Sequence, residues 1–214
     1  MALYRLIHIL SVMSHAPFVF SGENLALDLL NTASGAAERD GDRLASPMDV
    51  VRWLVEAELL STSEKERFEQ SPPDTRLLWE EALRFRCDAR DALQAWLRGA
   101  QIPEGSLFAL NRCLEALTTA LRLRTEGHEL RLETTRRHTG TAGYLAPVAK
   151  ELADLLLGGS PTRVRQCAGD GCGLWFRDTS KNGSRRWCSM ARCGNRAKVA
   201  AHYRRSKAKS GSTD

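Results

Sequence analysis

Cys167-Ala168-Gly169-Asp170-Gly171-Cys172 and Cys188-Ser189-Met190-Ala191-Arg192-Cys193 decide how the end of this chain folds. The four cysteines run as Cys-x4-Cys-x15-Cys-x4-Cys. Two close pairs at this separation suit one tetrahedral zinc ion. Each pair supplies one edge of the tetrahedron, and the chain between them loops back. Between the pairs stand Gly173-Leu174-Trp175-Phe176-Arg177, a turn-rich run from Asp178 to Gly183, and Ser184-Arg185-Arg186-Trp187. That order predicts a β-hairpin turning at Asn182-Gly183. A basic helix is expected after Cys193, from Ala197 to about Lys209.

A knuckle, a hairpin, and a helix whose start carries the last ligands is the plan of a treble-clef zinc finger. Four thiolates fill the tetrahedron, so the single zinc ion is read as structural. Folding of the segment then depends on the metal, because so short a module has little core of its own. Trp175, Phe176 and Trp187 are read as the apolar patch beside it. Four thiolates alone also fit an iron–sulfur cluster. Six cysteines are too few for a disulfide scaffold of this length. The remaining two, Cys87 and Cys113, stand alone in helix-like stretches and read as small buried hydrophobes.

The stretch Cys167 to Tyr203 resembles the CGNR zinc finger, named for the residues present here as Cys193-Gly194-Asn195-Arg196. Phe18 to Thr32, with Ser21-Gly22-Glu23-Asn24-Leu25-Ala26-Leu27-Asp28-Leu29-Leu30-Asn31-Thr32, resembles the opening of the ABATE domain that usually precedes this finger. The resemblance implies a family of proteins described, by inference, as stress-induced transcription regulators.

Upstream, the pattern is mainly α-helical. A short helix is expected from Glu23 to Asn31. Ser46-Pro47-Met48-Asp49 is a helix start with an N-cap, a proline in the first turn and an acidic residue behind it. Val50, Trp53, Leu54 and Ala57 follow at helical spacing. Another short helix opens near Thr62, and Pro72-Pro73 stops it. Asp74 to Leu97 is the longest helix, with Leu78, Ala82, Phe85, Ala89, Leu93 and Trp96 on one face and Gly99 at its end. Gly105 to Leu121 is read as a further helix. Leu121, Leu123, Leu130 and Leu132 then alternate with charged residues around Glu126-Gly127-His128, which predicts an antiparallel hairpin. Gly143 to Leu157 is the last body helix, and Gly158-Gly159-Ser160-Pro161 a hinge. The expected division is a tail or misassigned start over 1–16 with translation beginning at Met13, a helical domain over 17–159, the finger over 160–206, and a disordered tail over 207–214.

Charge divides along the same line. From Pro161 onward thirteen Lys and Arg face only Asp170, Asp178 and Asp214, a net of +10. The rest holds eighteen basic and twenty-three acidic residues, a net of −5. An acidic body carrying a basic module points to a polyanion held by the module. Arg185, Arg186, Arg192, Arg196, Lys198, Arg204 and Arg205 are the candidate nucleic-acid contacts. For Gly194-Asn195-Arg196 the favoured role is bracing the finger: Arg196 on carbonyls of the first knuckle, Asn195 pinning the helix start, Gly194 allowing close packing. Double-stranded DNA is the expected partner. RNA, or an acidic protein met by a zinc-stabilised surface, are the alternatives.

No catalytic constellation emerges from the five scattered histidines, and no phosphate loop or dinucleotide fingerprint is present. Asp28, Asn31 and Thr32, at the end of an apolar helix, read first as local capping groups. The competing role is a pocket for a small-molecule effector. No apolar run reaches the roughly twenty residues of a membrane span. A cytoplasmic site is expected, where reduced thiolates hold zinc. A homodimer is an option that no coiled-coil pattern requires.

Overall fold

A computed structural model describes residues 18–33 and 41–210. The start over 1–16, the Met13 question and the last four residues lie outside that range. The body holds helices α1 (Leu25–Leu30), α2 (Pro47–Glu56), α3 (Thr62–Gln70), α4 (Pro72–Leu97) and α5 (Glu104–Glu115). A hairpin of β1 (Leu117–Glu126) and β2 (Glu129–His138) follows, then α6 (Ala142–Gly158). The C-terminal module consists of β3 (Val164–Gln166), β4 (Trp175–Arg177), a wide helical turn (Met190–Gly194) and α7 (Asn195–Ser210). The architecture is therefore mainly helical, with one hairpin in the body and a hairpin plus helix around four cysteines.

Local chemistry explains the boundaries. Ser46 and Asp49 close a reciprocal capping box at the start of α2, and Ser61 with Glu64 does the same for α3. Gly99 ends α4 at φ +65°, a left-handed conformation that costs glycine nothing. The core is built from Leu27, Leu29 and Leu30 of α1, Val50, Val51, Trp53 and Leu54 of α2, the Leu78-to-Leu93 face of α4, and Leu145, Val148, Leu152 and Leu155 of α6. Five of the six α1 residues are buried, so this short helix runs through the molecule rather than along its surface. Asn24 caps it, accepting from the Ala26 and Leu27 N–H groups. The same amide donates to the Glu151 carbonyl and carboxylate on α6, both at 3.0 Å.

Several expectations change. The helix from Gly105 stops at Glu115, not Leu121, and β1 already begins at Leu117. Thr118 and Thr119 are β-branched and favour the strand, and Leu117 pairs with His138 at the base of a ten-rung ladder. Cys113 is fully buried, and burial pushes its thiol up to about 12. Cys87, expected inside, is exposed. It leaves α4 on the side away from Phe85 and Ala89. α7 begins at Asn195, ahead of Ala197, and runs to Ser210, past the expected start of the tail at Lys207.

The hairpin near the cysteines is also placed differently. β4 pairs with β3, which precedes Cys167, and not with Ser184-Arg185-Arg186-Trp187. The other edge of β4 is taken by the body. The Arg177 N–H donates to the Gly22 carbonyl at 2.7 Å, and the Asn31 side chain pairs with Trp175. Asn182-Gly183 does turn the chain, with Gly183 at φ +59° against the Arg163 guanidinium, where a Cβ would meet Cζ at 2.9 Å. The returning segment then meets the first knuckle through Ala168 N–H to the Arg186 carbonyl, 2.8 Å.

Candidate metal centre and basic helix

The β3–β4 pair carries Cys167 and Cys172 on the knuckle at its tip. Cys188 stands two residues before the wide turn that opens α7, and Cys193 lies within that turn. All four sulfurs lie within 4.8 Å of one another. Cys172 and Cys188 are 3.9 Å apart, and Cys188 and Cys193 are 3.7 Å apart. A tetrahedron of zinc–sulfur bonds near 2.3 Å has edges of about 3.8 Å, so these residues fit one zinc ion. The Cys167 sulfur also accepts N–H groups from Cys188 (3.2 Å) and Gly169 (3.4 Å), the kind of outer contact that orients a ligand.

Burial disfavours the Cys167 thiolate, but the two N–H donors together with the Cys188 and Cys172 thiols outweigh it and hold the thiol below its ordinary value. Burial pushes Cys172 up to about 11 and raises Cys188 as well. Raised in this way, Cys172 and Cys188 keep their protons at neutral pH in the absence of a cation. Zinc binding must therefore displace protons.

The rest of the module serves this geometry. Phe176 is fully buried with Leu174 against the cysteines. Trp175 instead packs on the body core, and Val164 belongs to that core. The Asp178 carboxylate, 2% exposed, accepts from the Ser180 N–H and hydroxyl and from the Arg185 N–H. Sequence reading saw only a turn here. The signal was an Asp followed two residues later by Ser, the pattern of a side-chain-closed turn. At Gly194 a Cβ would sit 2.6 Å from the Met190 sulfur, so a side chain there requires the half-exposed Met190 to swing aside. Arg196 donates to the Asp170 carbonyl in the first knuckle at 3.1 Å and to the Cys193 sulfur at 3.5 Å.

Arg185, expected to meet nucleic acid, has its guanidinium engaged inside the molecule. It donates to the carbonyls of Trp187, Cys188 and Ser21 and to the Glu23 carboxylate, and lies 4.6 Å over the Phe176 ring. Arg186 is exposed and covers Trp187. Arg192, Arg196, Lys198, Arg204 and Arg205 are all exposed. No acidic residue stands between Asp178 and Asp214. A cleft of about 1100 Å³ opens between body and module. Arg192, Arg196 and Arg204 line it from the module, and Asn31 and Arg43 from the body. Lys198 and Arg205 lie outside it.

The three polar residues of the opening motif have separate partners. Asp28 accepts from the Ser21 and Gly22 N–H groups at 3.0 and 2.7 Å. Burial raises its pKa from 3.8 to about 6, against the pull of those donors. Asn31 donates to the Trp175 carbonyl and accepts from the Trp175 N–H, at 2.9 and 2.7 Å, as a neighbouring strand would. The Thr32 hydroxyl donates to the Leu29 carbonyl and accepts from Arg86, which also forms a two-pronged ion pair with Asp42. Of the three, Asn31 lines the cleft.

Comparison with known families gives two matches. Residues 163–206 match the CGNR zinc finger. Residues 23–159 match the ABATE family, described as "Putative stress-induced transcription regulator". No curated protein matches the chain. Among the described residues, no helix is long and apolar enough to cross a membrane.

Proposed function

Because the chain belongs to the ABATE family and ends in a CGNR zinc finger, we propose that it regulates transcription by binding double-stranded DNA through α7 and the turn before it. The observation that carries this is the charge of that segment. Arg186, Arg192, Arg196, Lys198, Arg204 and Arg205 are exposed on a scaffold pinned by four cysteines, and the sequence from Arg186 to Arg205 holds no carboxylate, Asp170 being the one acidic residue that shares their cleft among the described residues. Contacts of this kind neutralise phosphates and release counterions. Arg192, Arg196 and Arg204 share one cleft wall and would follow the same strand of backbone. Arg185 supports the scaffold that presents them.

The body is the responsive part in this reading. Asn31 and the Ser21–Glu23 segment grip the finger directly, so an effector or stress that shifts α1 would reach β4 and Arg185. An effector in the cleft would meet Asn31 beside the same arginines.

The test is a binding titration of zinc-loaded full chain on duplex DNA across salt. Affinity should fall steeply, with log Kd linear in log salt concentration. Indifference to salt would overturn the proposal. Preference for single strands would favour the RNA reading, for which exposed Tyr203 beside Arg204 offers a stacking surface.

A further inference from the structure

The β1–β2 hairpin leaves the body almost bare. Leu117 at its base is half-buried, while Leu121 to Glu126 are exposed without interruption. Leu121, Leu123, Leu130 and Leu132 are 69%, 66%, 73% and 62% exposed. The register makes this a single patch. Leu123 pairs with Leu132, Leu121 with Thr134, and Thr125 with Leu130. Alternate residues of a strand share a face, so all four leucines stand on one side. Arg122, Arg124, Glu126, Glu129, Arg131 and Glu133 stand on the other, where Arg124 pairs with Glu133 and Arg131 with Glu126. Across these three rungs the leucine face holds no charge.

A lone two-stranded hairpin is marginal in water and needs something against its apolar face. Four leucines exposed to this degree offer on the order of 500 Å² per chain, at the upper end for a monomer's largest apolar patch. We propose that this face packs against the same face of a second copy of the chain, making a two-fold dimer. The pattern is self-complementary. A half-turn about the centre of the Leu123–Leu132 rung exchanges Leu121 with Leu130 and Thr125 with Thr134. The leucines thus run along one diagonal and the threonines occupy the other two corners. Stacking two copies about an axis along the strands sets Leu123 of each over Leu132 of the other. Each Leu130 then falls over the Thr125 position, so a large residue meets a small one beside the central Leu123–Leu132 contacts.

The area agrees with a homodimer of this kind. Two patches remove on the order of 1,000 Å² from water, the lower bound for a specific interface. Charge agrees as well. Over these three rungs the face offers a basic or acidic partner nothing to pair with, and the charges behind it are balanced within each hairpin.

Sedimentation of the zinc-loaded full chain across concentration tests the proposal, comparing wild type with Leu123→Lys/Leu132→Lys. Both residues are exposed in the single chain, so the variant should keep its circular dichroism, melting temperature and zinc content. Wild type should sediment as a dimer at micromolar concentration, and the variant's dimer dissociation constant should rise at least about 100-fold. A wild type that stays monomeric overturns the proposal, whatever else the leucine face meets. A dimer that the double substitution leaves intact also overturns it, because the copies then meet elsewhere.

Discussion

At the residue scale, Asp28 behaves contrary to most carboxylates in folded proteins. Its pKa in the fold is about 6, above the ordinary 3.8, because burial disfavours the charge. The folded state therefore binds more protons than the unfolded state between about pH 4 and 6, and stability falls as pH rises through that window. Ionised Asp28 costs at most about 3 kcal/mol above it. Asp28→Asn keeps an oxygen acceptor for Ser21 and Gly22 and carries no charge. We expect the variant to melt at or above the wild-type temperature at pH 7, with a flatter pH dependence below it. A lower melting temperature at pH 7 would mean that the charge itself holds the loop. Asp28, Asn31 and Thr32 were legible in sequence as polar residues closing an apolar helix. Their partners were not. Asn31 pairs with a residue 144 positions away, and no local pattern reports such a distance. Arg86 was hidden in the same way, as one charge on a long amphipathic helix. It is 6% exposed and paired with Asp42. Arg86→Ala should cost about 1.5–3 kcal/mol in a denaturant titration, because it removes charge-assisted hydrogen bonds from the half-buried Asp42 carboxylate and the buried Thr32 hydroxyl. A loss below about 1 kcal/mol would show that water replaces the guanidinium.

At the element scale, the arginines of the module differ in how they are held. Arg185 is engaged inside the finger, Arg196 bonds the first knuckle while staying exposed in the cleft, and Arg204 projects from α7 without a scaffold role among the bonds described. Arg204→Ala should weaken binding uniformly across DNA sequences and lower the salt slope by about one. Zinc content should stay the same. A loss of affinity for one sequence only would make Arg204 a base-reading residue. The start of α2 was legible because its capping residues act locally, at Ser46 and Asp49. The β3–β4 pairing was not, because Asn182-Gly183 is a strong turn signal and the competing partner of β4 lies in the body. The long hairpin was legible from alternation alone. Its exposure was not, because an alternating strand looks the same whether its apolar face meets the chain's own core or a second chain.

At the scale of the whole molecule, the finger is not an appendage on a hinge. Val164 joins the body core, Trp175 packs on it, and Asn31, Gly22, Ser21 and Glu23 bind the module directly. The charge division legible in sequence separates the two parts chemically, but their packing couples them. Cys193→Ser should release zinc and unfold the module. It should also lower the melting temperature of the helical body by several degrees, since the lost interface contributes a few kcal/mol. An unshifted body transition would mean the contacts carry no net stability. The family and the metal geometry support a regulator whose finger works only when zinc holds it.

The most direct test of that claim is selection from a random duplex DNA pool at physiological salt, using the zinc-loaded full chain beside a zinc-stripped sample. An enriched duplex motif that disappears on stripping is the predicted result. Retention that is equal with and without zinc, or no retention of duplex at all, would contradict it.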